Sequence, residues 1–264
     1  MDILVTLFKN FFTHKDFLPP PEEWAGTLFT PLHFLWSAIV LAAVIVLALW
    51  VSRKSETTIR RVFFALWVVL VVFEIAKIVW ETYAGECVWF EWGGILPLYP
   101  CSIFMYAMPL AIFGNQTVRY MGCGYVCSLG LLGGAINFLY PANVLGRYSC
   151  LSFAGFHTLF YHGAIVFCAI VMLRSGYHSY KTVTKAHQLL LPAVPALAVS
   201  VVANLVNFSH IDSDYMFFKL ESFFFAPLGA ATADWVSVIL VYFIYLLIHA
   251  LPYLPFYFKN KKGR

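Results

Sequence analysis

The residues best suited to chemistry are one cysteine and two histidines embedded in apolar sequence. Cys101 directly follows the segment LPLYP at 96–100, whose prolines leave neighbouring backbone N–H groups without helical partners. Such donors can stabilise the oxyanion that forms when a thiolate attacks an ester. A buried thiol needs a base to take its proton, and His157 and His162 lie together further along the chain. The pattern predicts thiol–imidazole catalysis with either histidine as base, whereas an inert packing cysteine is the plainer interpretation.

The elements that must position these residues are membrane helices. Of the 264 residues, 61% are hydrophobic and only 11% are charged, whereas soluble domains have about 45–50% and about 25%. This composition excludes a soluble globule. The apolar runs are continuous and about twenty residues long, as membrane helices require, and do not alternate as barrel strands do. We therefore predict an all-α, polytopic helical bundle with about seven transmembrane helices. The predicted spans are 31–51, 62–82, 94–113, 118–140, 152–173, 187–208 and 234–256.

The positive charges predict how the bundle is oriented. Most of the 17 lysines and arginines fall in the connections after the first, third and fifth spans and in the tail. Basic residues are retained on the cytoplasmic side, so the amino terminus is expected outside or in a lumen and the carboxyl terminus in the cytoplasm. We predict an amphipathic interfacial segment at 1–30, a transmembrane domain at 31–256 and a basic tail at 257–264. The expected location is an endomembrane such as ER or Golgi in a eukaryote, or the inner or plasma membrane in a bacterium.

Several polar residues are predicted at one depth of the bilayer. Glu74 and Lys77 are three residues apart on the second span and can pair. At ~1.5 Å per residue they lie roughly 8 to 13 Å below the outer surface, and Cys101 lies roughly 10 Å below it. Ionised groups in the bilayer are costly and usually mark a functional interior, so we expect a polar chamber that opens outward. A purely structural ion pair is the alternative. The other polar residues expected in the outer half are His33, Asn137, Asn204 and Asn207.

The cysteine spacing and the charge distribution exclude other classes of site. The six cysteines form no CxxC pair, so a zinc site is not expected, and no cofactor is predicted. The basic residues form no stripe with interleaved aromatics, so nucleic acid is not an expected partner. Cys87 and Cys150 both fall in predicted outer connections, where they form either a disulfide or two free thiols. Gly130 and Gly134 form a small-residue face that predicts close helix packing.

Three short motifs resemble a known family. The segment ending in Cys101, then Phe160-Tyr161-His162-Gly163, then Asp214-Tyr215-Met216-Phe217-Phe218, together resemble the transmembrane protein 164 family and its bacterial YwaF-like relatives. That family is described as membrane-embedded acyltransferases that move fatty acyl chains between phospholipids, and it is distantly similar to the androgen-induced-gene hydrolases. The resemblance implies that Cys101 is a nucleophile, His162 its partner, and phospholipids and lysophospholipids the substrates. His157 remains an alternative base, because its predicted depth matches that of Cys101 slightly better.

The predicted function is therefore acyl transfer through a thioester on Cys101, with Glu74, Lys77, Asn137, Asn204 and Asn207 supporting the site. If water enters, the same pair of residues becomes a lipid ester hydrolase. A transporter or a receptor-like seven-helix protein without catalysis is the rival from another class. A transporter would need polar residues that continue to the cytoplasmic side, whereas here they stop halfway apart from His249. A haem bound by His33 and a second histidine is a further alternative.

Overall fold

A computed structural model describes residues 10–18, 20, 25–85, 96–209, 214–218 and 234–262, and the regular secondary structure of these residues is helical. A π-helix at Val126–Gly130 joins the helices Gln116–Tyr125 and Leu131–Leu139 without a break, and short 3-10 turns connect several other helices. The helices are α1 Pro31–Val51, α2 Glu56–Ala84, α3 Ile103–Phe113, α4 Gln116–Tyr125, α5 Leu131–Leu139, α6 Ala142–Leu145, α7 Phe153–Ser175, α8 Val194–Ser209, α9 Asp234–Ala250 and α10 Leu254–Lys262.

Among the residues that the structure describes, five helical segments are long and apolar enough to cross a membrane. The pair α9 and α10, bent by 58° at a short break, makes a sixth span if both helices are counted together. The prediction of an all-α, multi-span membrane bundle is confirmed. The five segments are Pro31–Val51, Glu56–Ala84, Gln116–Leu145, Phe153–Ser175 and Ala186–Ser209.

The third predicted span differs from the others. Its helix, α3, has 11 residues, which extend about 16 Å and cannot cross a hydrocarbon core of about 30 Å alone. The count of seven and the direction of the termini stay predictions.

Local sequence signals set where the long helices begin and end. The Thr30 side chain accepts a hydrogen bond from the His33 N–H at the start of α1, and Ser152 caps α7 by accepting from the Gly155 N–H. Hydroxyl side chains at this position satisfy backbone donors that have no helical partner. α7 ends at Gly176, whose φ of +77° is left-handed and favours glycine. These caps fix the register of α7, which contributes both histidines.

α7 is the most buried of the five spanning segments, since 72% of its most apolar stretch is buried inside the bundle. α5 approaches it closely, because a Cβ added at Gly134 would lie 3.2 Å from the His162 carbonyl oxygen. A Cβ added at Gly130 would lie 3.4 Å from a side-chain carbon of Ile165. The predicted small-residue face is therefore present, and it holds α5 against α7 at the level of His162.

α1 has the opposite character, since it presents a wide apolar surface to its surroundings. Val46 is 66% exposed and Trp50 is 58% exposed in the bundle. In a multi-pass membrane protein, such a surface contacts membrane lipids.

The described part of the amino-terminal segment packs onto one end of the bundle. The Trp80 ring nitrogen donates to the Phe12 carbonyl oxygen at 2.8 Å, and His14 Nε2 lies 2.8 Å from Glu81 Oε2. The Lys15 N–H donates to the Tyr148 hydroxyl at 3.0 Å. The first nine residues, which carry most of the predicted interfacial helix, lie outside the described residues. The predicted division into segment, domain and tail stays a prediction.

Candidate functional site

Cys101 lies in a turn just before α3. The Ser102 N–H donates to the Tyr99 carbonyl oxygen at 2.9 Å, and the Phe104 N–H donates to the Cys101 carbonyl oxygen at 3.1 Å. The buried Tyr125 hydroxyl donates to the Pro100 carbonyl oxygen, which ties the turn to α4. No backbone carbonyl among the described residues accepts the Cys101 N–H. The turn that carries the thiol is thus held in place by these hydrogen bonds.

The Cys101 side chain is partly exposed and lines a cavity of about 290 Å³. The π-helix and α5 contribute one set of lining residues, α9 contributes another, and Phe217 also lines the cavity. Most of the lining is aliphatic, and the polar side chains are those of Asn137, Tyr140, Asn143 and Tyr245. The described residues that line it are Pro100, Cys101, Leu129, Leu132, Gly133, Ile136, Asn137, Tyr140, Pro141, Ala142, Asn143, Phe217, Val241, Ile244, Tyr245 and Ile248.

His162 has a defined tautomer. Its Nδ1 lies 2.7 Å from the backbone carbonyl oxygen of Thr158, one turn earlier in α7. A carbonyl oxygen only accepts, so Nδ1 carries the proton and Nε2 presents a lone pair. His162 Nε2 is buried and has no hydrogen-bond partner among the described residues. The ring is therefore held in the state that a general base requires.

A short chain of contacts connects His162 to the cavity. The Thr158 hydroxyl lies 3.3 Å from His162 Nδ1 and donates to Asn137 Oδ1 at 3.4 Å. Asn137, a predicted site residue, itself lines the cavity beside Cys101. Thr158 was missed by the sequence analysis. Its position four residues before a histidine, one helical turn away, was the available signal.

His157 is in a different environment from His162. Its Nε2 lies 3.3 Å from Glu74 Oε2, while Glu74 Oε1 lies 2.6 Å from Lys77 Nζ. The predicted pairing of Glu74 with Lys77 is therefore present, and the carboxylate is buried with 5% of its side chain exposed. One carboxylate thus contacts a cation on its own helix and an imidazole on α7. Neither His157 Nε2 nor His162 Nε2 has a hydrogen-bond partner among the described residues, but only His157 Nε2 lies at ion-pair distance from a carboxylate.

Tyr161 connects the cysteine turn to the two histidines. Its ring centroid lies 5.9 Å from that of His157 and also 5.9 Å from that of His162. Its hydroxyl donates to the Ser102 carbonyl oxygen at 3.5 Å. Within the described part of the chain, Cys101 Sγ forms no hydrogen bond with either imidazole. Catalytic hydrogen bonds often form only in the complex with substrate, so the direct pairing of thiol and imidazole stays a prediction.

Of the described residues, neither predicted asparagine on α8 lines the cavity, and each instead bonds to a tyrosine one or two positions from a lining residue. Asn204 Nδ2 donates to the Tyr242 hydroxyl at 2.9 Å. Asn207 Nδ2 donates to the Tyr215 carbonyl oxygen and its Oδ1 accepts from the Tyr215 N–H, both at 2.9 Å. Asn207 therefore holds the segment 214–218, which brings Phe217 to the cavity.

The segment 214–218 has a strained backbone conformation, and its contacts stabilise that conformation. Met216 has a φ of 61° and Phe217 a φ of 56°, a left-handed conformation that is unfavourable for these residue types. The Tyr245 hydroxyl donates to the Met216 carbonyl oxygen at 2.6 Å, and the Leu96 N–H donates to the Tyr215 hydroxyl at 3.1 Å. The surrounding contacts thus hold two aromatic residues in a conformation that the isolated chain would avoid.

Two other predicted residues, Cys150 and His33, do not line the cavity. Cys87 lies outside the described residues, and Cys150 is a buried thiol whose sulfur lies 4.0 Å from the Leu32 carbonyl oxygen. The pairing of these two cysteines stays open. His33 is buried at the start of α1, where its Nδ1 accepts from the Phe29 N–H at 3.3 Å.

Comparison with known proteins identifies one family. The model of the TMEM164 family matches residues 28–259. No curated protein and no solved structure matches the chain. The matched region includes Cys101, both histidines of α7 and every residue that lines the cavity.

Proposed function

Because the chain belongs to the TMEM164 family and is a multi-pass membrane protein, we propose that it transfers fatty acyl chains between phospholipids through a thioester on Cys101. One observation carries the proposal: the Cys101 side chain lines a largely aliphatic cavity in the membrane domain. A phospholipid brings both an ester for a nucleophile to attack and an apolar chain to fill such a lining. An inert packing cysteine would instead be fully surrounded by core residues, as Cys168 is.

The first half of the reaction forms the thioester. His162 Nε2 accepts the Cys101 proton, and the thiolate attacks the carbonyl carbon of a phospholipid ester. The carbon–oxygen bond of the ester breaks, and the imidazolium returns the proton to the leaving lysophospholipid oxygen. The Cys101 N–H, which donates to no backbone carbonyl among the described residues, supports the oxyanion of the tetrahedral intermediate.

The second half returns the enzyme to its starting state. The hydroxyl of another lysophospholipid gives its proton to His162 Nε2, and its oxygen attacks the thioester carbonyl. The carbon–sulfur bond breaks, and the imidazolium reprotonates the Cys101 sulfur. The acyl group has moved between two alcohols, so atoms and charge balance without an oxidant or reductant.

His162 is a better candidate for the base than His157. Nδ1 of His162 is fixed by the Thr158 carbonyl and its Nε2 has no competing partner among the described residues. The His157 ring already contacts the Glu74 carboxylate. We assign Glu74, Lys77 and His157 to positioning α2 against α7, with Tyr161 between this group and the cysteine turn.

Hydrolysis is the other outcome of the same chemistry, since water can replace the second lysophospholipid. The aliphatic lining favours transfer, because apolar walls disfavour ordered water. The two outcomes differ in their product: transfer yields a new phospholipid, whereas hydrolysis yields a free fatty acid.

The proposal is tested with the full-length protein in vesicles of phosphatidylcholine that contain lysophosphatidylethanolamine. We expect acylated phosphatidylethanolamine to form, and intact-protein mass spectrometry to detect an acyl adduct on Cys101. Cys101→Ala should abolish both signals, and His162→Gln should slow them by about 10² to 10⁴. Cys168→Ala, which removes a fully buried thiol, is the matched control. Undiminished transfer by Cys101→Ala would overturn the proposal, and a greater loss with His157→Gln than with His162→Gln would reassign the base.

A further inference from the structure

Gly133 leaves a gap in the wall of the cavity. A Cβ added at this residue would meet no heavy atom within 4 Å, whereas a Cβ added at the adjacent Gly134 would meet Val166 and the His162 backbone at 3.1 and 3.2 Å. The two glycines therefore have different roles. Gly134 allows two helices to approach, and Gly133 keeps space in the cavity open.

The cavity has the form of a groove between two helices. Leu129, Gly133 and Asn137 are spaced by four residues and share one face of the π-helix and α5, while Val241, Ile244 and Ile248 line it from α9. Two further lining residues, Leu132 and Ile136, are each 44% exposed. In a membrane protein these exposed apolar side chains face lipid, so the groove opens sideways toward the bilayer.

The polarity of the groove changes along its length. Its polar lining on this wall, Asn137, Tyr140 and Asn143, lies toward one end, beyond Gly133 in sequence. The opposite end, around Leu129 and Ile248, is aliphatic. This gradient suits a molecule with a polar head and an apolar tail that enters from the lipid side.

The size of the groove suits part of a fatty acyl chain. A cavity of about 290 Å³ is many times the volume that one water molecule needs, so it has room for several methylene groups. A chain longer than this would leave the groove through its open side. An acyl tail therefore fits the lining, the volume and the point of access together.

We propose that the groove beside Cys101 binds the fatty acyl chain during transfer and that Gly133 sets how long a chain fits. The inference rests on the proposed acyl transfer and adds the subsite that selects the chain. A large side chain at position 133 would occupy the open space and exclude methylene groups. In apolar pockets, one excluded methylene changes the preference between substrates by about tenfold or more.

The variant Gly133→Phe tests this directly. Glycine is a poor helix former, so the substitution does not remove a residue that the helix needs. Leu139→Phe is the matched control: it places the same ring on α5, at a residue that is 66% exposed and does not line the groove. Wild type and both variants are incubated in vesicles of phosphatidylcholines with acyl chains of mixed length. The chain on the protein is then identified by intact mass.

We expect the ratio of long-chain to short-chain adducts to fall by about tenfold or more in Gly133→Phe and to stay unchanged in Leu139→Phe. The same ratio in all three proteins would overturn the chain-length assignment while leaving acyl transfer intact. Absence of any adduct on the wild type would instead count against the proposed function.

A second measurement tests the groove without catalysis. In the Cys101→Ala background, a phosphatidylcholine with a photoreactive acyl chain should label peptides that contain 129–143 or 241–248. Adding Gly133→Phe should reduce this labelling, and adding Leu139→Phe should not. The same extent of labelling with and without Gly133→Phe would overturn the proposal. Absence of labelling in these peptides, as expected if a protein segment fills the groove, would also overturn it.

Discussion

Glu74 and His157 contact each other between α2 and α7, with 3.3 Å between Oε2 and Nε2. The same carboxylate lies 2.6 Å from Lys77 Nζ on its own helix. Both side-chain partners on α2 are largely buried, with exposed fractions of 5% for Glu74 and 20% for Lys77. Removing one member of a buried ionic group leaves the other without compensation and is strongly destabilising. The contact therefore joins two helices through a charge that neither helix would bury alone.

The first prediction is that Glu74→Gln and His157→Gln are energetically coupled. Each variant should lower the free energy of unfolding, and the double variant should lose less than the sum by about 0.5 to 3 kcal/mol. Thermal unfolding in detergent measures all three. Glu74→Gln combined with Asn204→Ala is the control pair, because Asn204 donates to Tyr242 instead. Additive losses for Glu74 and His157 would show that their contact contributes nothing to stability.

The second prediction concerns the paired glycines of α5. Gly134→Leu should lower the free energy of unfolding by about 1 to 3 kcal/mol, because its side chain would be forced against Val166 and the His162 backbone. Gly133→Leu should cause no such loss, since the space beside it is open. The measurement is again thermal unfolding in detergent, with each variant as the control for the other. Equal melting temperatures would contradict the different roles assigned to the two glycines.

The long helices could be predicted from the sequence because their signals are local. The first predicted span, 31–51, has the same bounds as α1, since Thr30 and Pro31 mark its start and Arg53 and Lys54 follow its apolar run. The third span was predicted too long. Residues 96–102 form an irregular turn before α3, and Pro97 and Pro100 explain this, because proline disfavours helical conformation in the residue before it. The prolines were noted for their chemistry, and their structural consequence also follows from the sequence.

The candidate site could be predicted only in part, for a geometric reason. Glu74 and Lys77 are one turn apart on one helix, so their pairing follows from spacing alone. The contacts of Glu74 with His157 and of Asn137 with Thr158 join different helices. They depend on how each helix is rotated about its axis, which a single sequence of such uniformly apolar spans does not specify. The tautomer of His162, which separates it from His157, likewise needed coordinates.

The third prediction is a loss of stability in acid that depends on His178, which lies in the connection after α7. Burial, together with the positive charge of Arg119, lowers the pKa of His178 from 6.5 to about 4. The unfolded chain keeps the ordinary pKa and therefore binds a proton first as the pH falls. The stabilisation is complete above pH 6.5 and is lost as the pH falls toward 4, by about 3 kcal/mol when protonation is complete.

The measurement is the melting temperature of wild type and His178→Gln between pH 7 and pH 4. Glutamine retains a group that can hydrogen-bond to the Tyr253 hydroxyl, which lies 2.7 Å from His178 Nε2, but it does not titrate. The difference between the two proteins should change across this pH window, with wild type losing more on acidification. If the melting temperatures of the two proteins fell in parallel with pH, His178 would not be the group whose protonation destabilises the protein in acid.

The fourth prediction tests whether the Tyr125 hydroxyl positions the turn of Cys101, the proposed nucleophile, or only contributes to core stability. Tyr125 and Tyr253 are both fully buried, and the hydroxyl of each has a hydrogen-bond partner. The Tyr125 hydroxyl donates to the Pro100 carbonyl beside Cys101. The Tyr253 hydroxyl contacts His178, which follows the carboxyl end of α7. Tyr125→Phe and Tyr253→Phe should each cost about 1 kcal/mol of stability. Only Tyr125→Phe should also slow thioester formation on Cys101, by about tenfold to a hundredfold, because small displacements of a reacting group are costly. Thioester rates from intact-protein mass spectrometry, measured well below the melting temperature, separate the two effects. Equal slowing in both variants would mean that the Tyr125 hydroxyl acts through general stability and does not position the thiol.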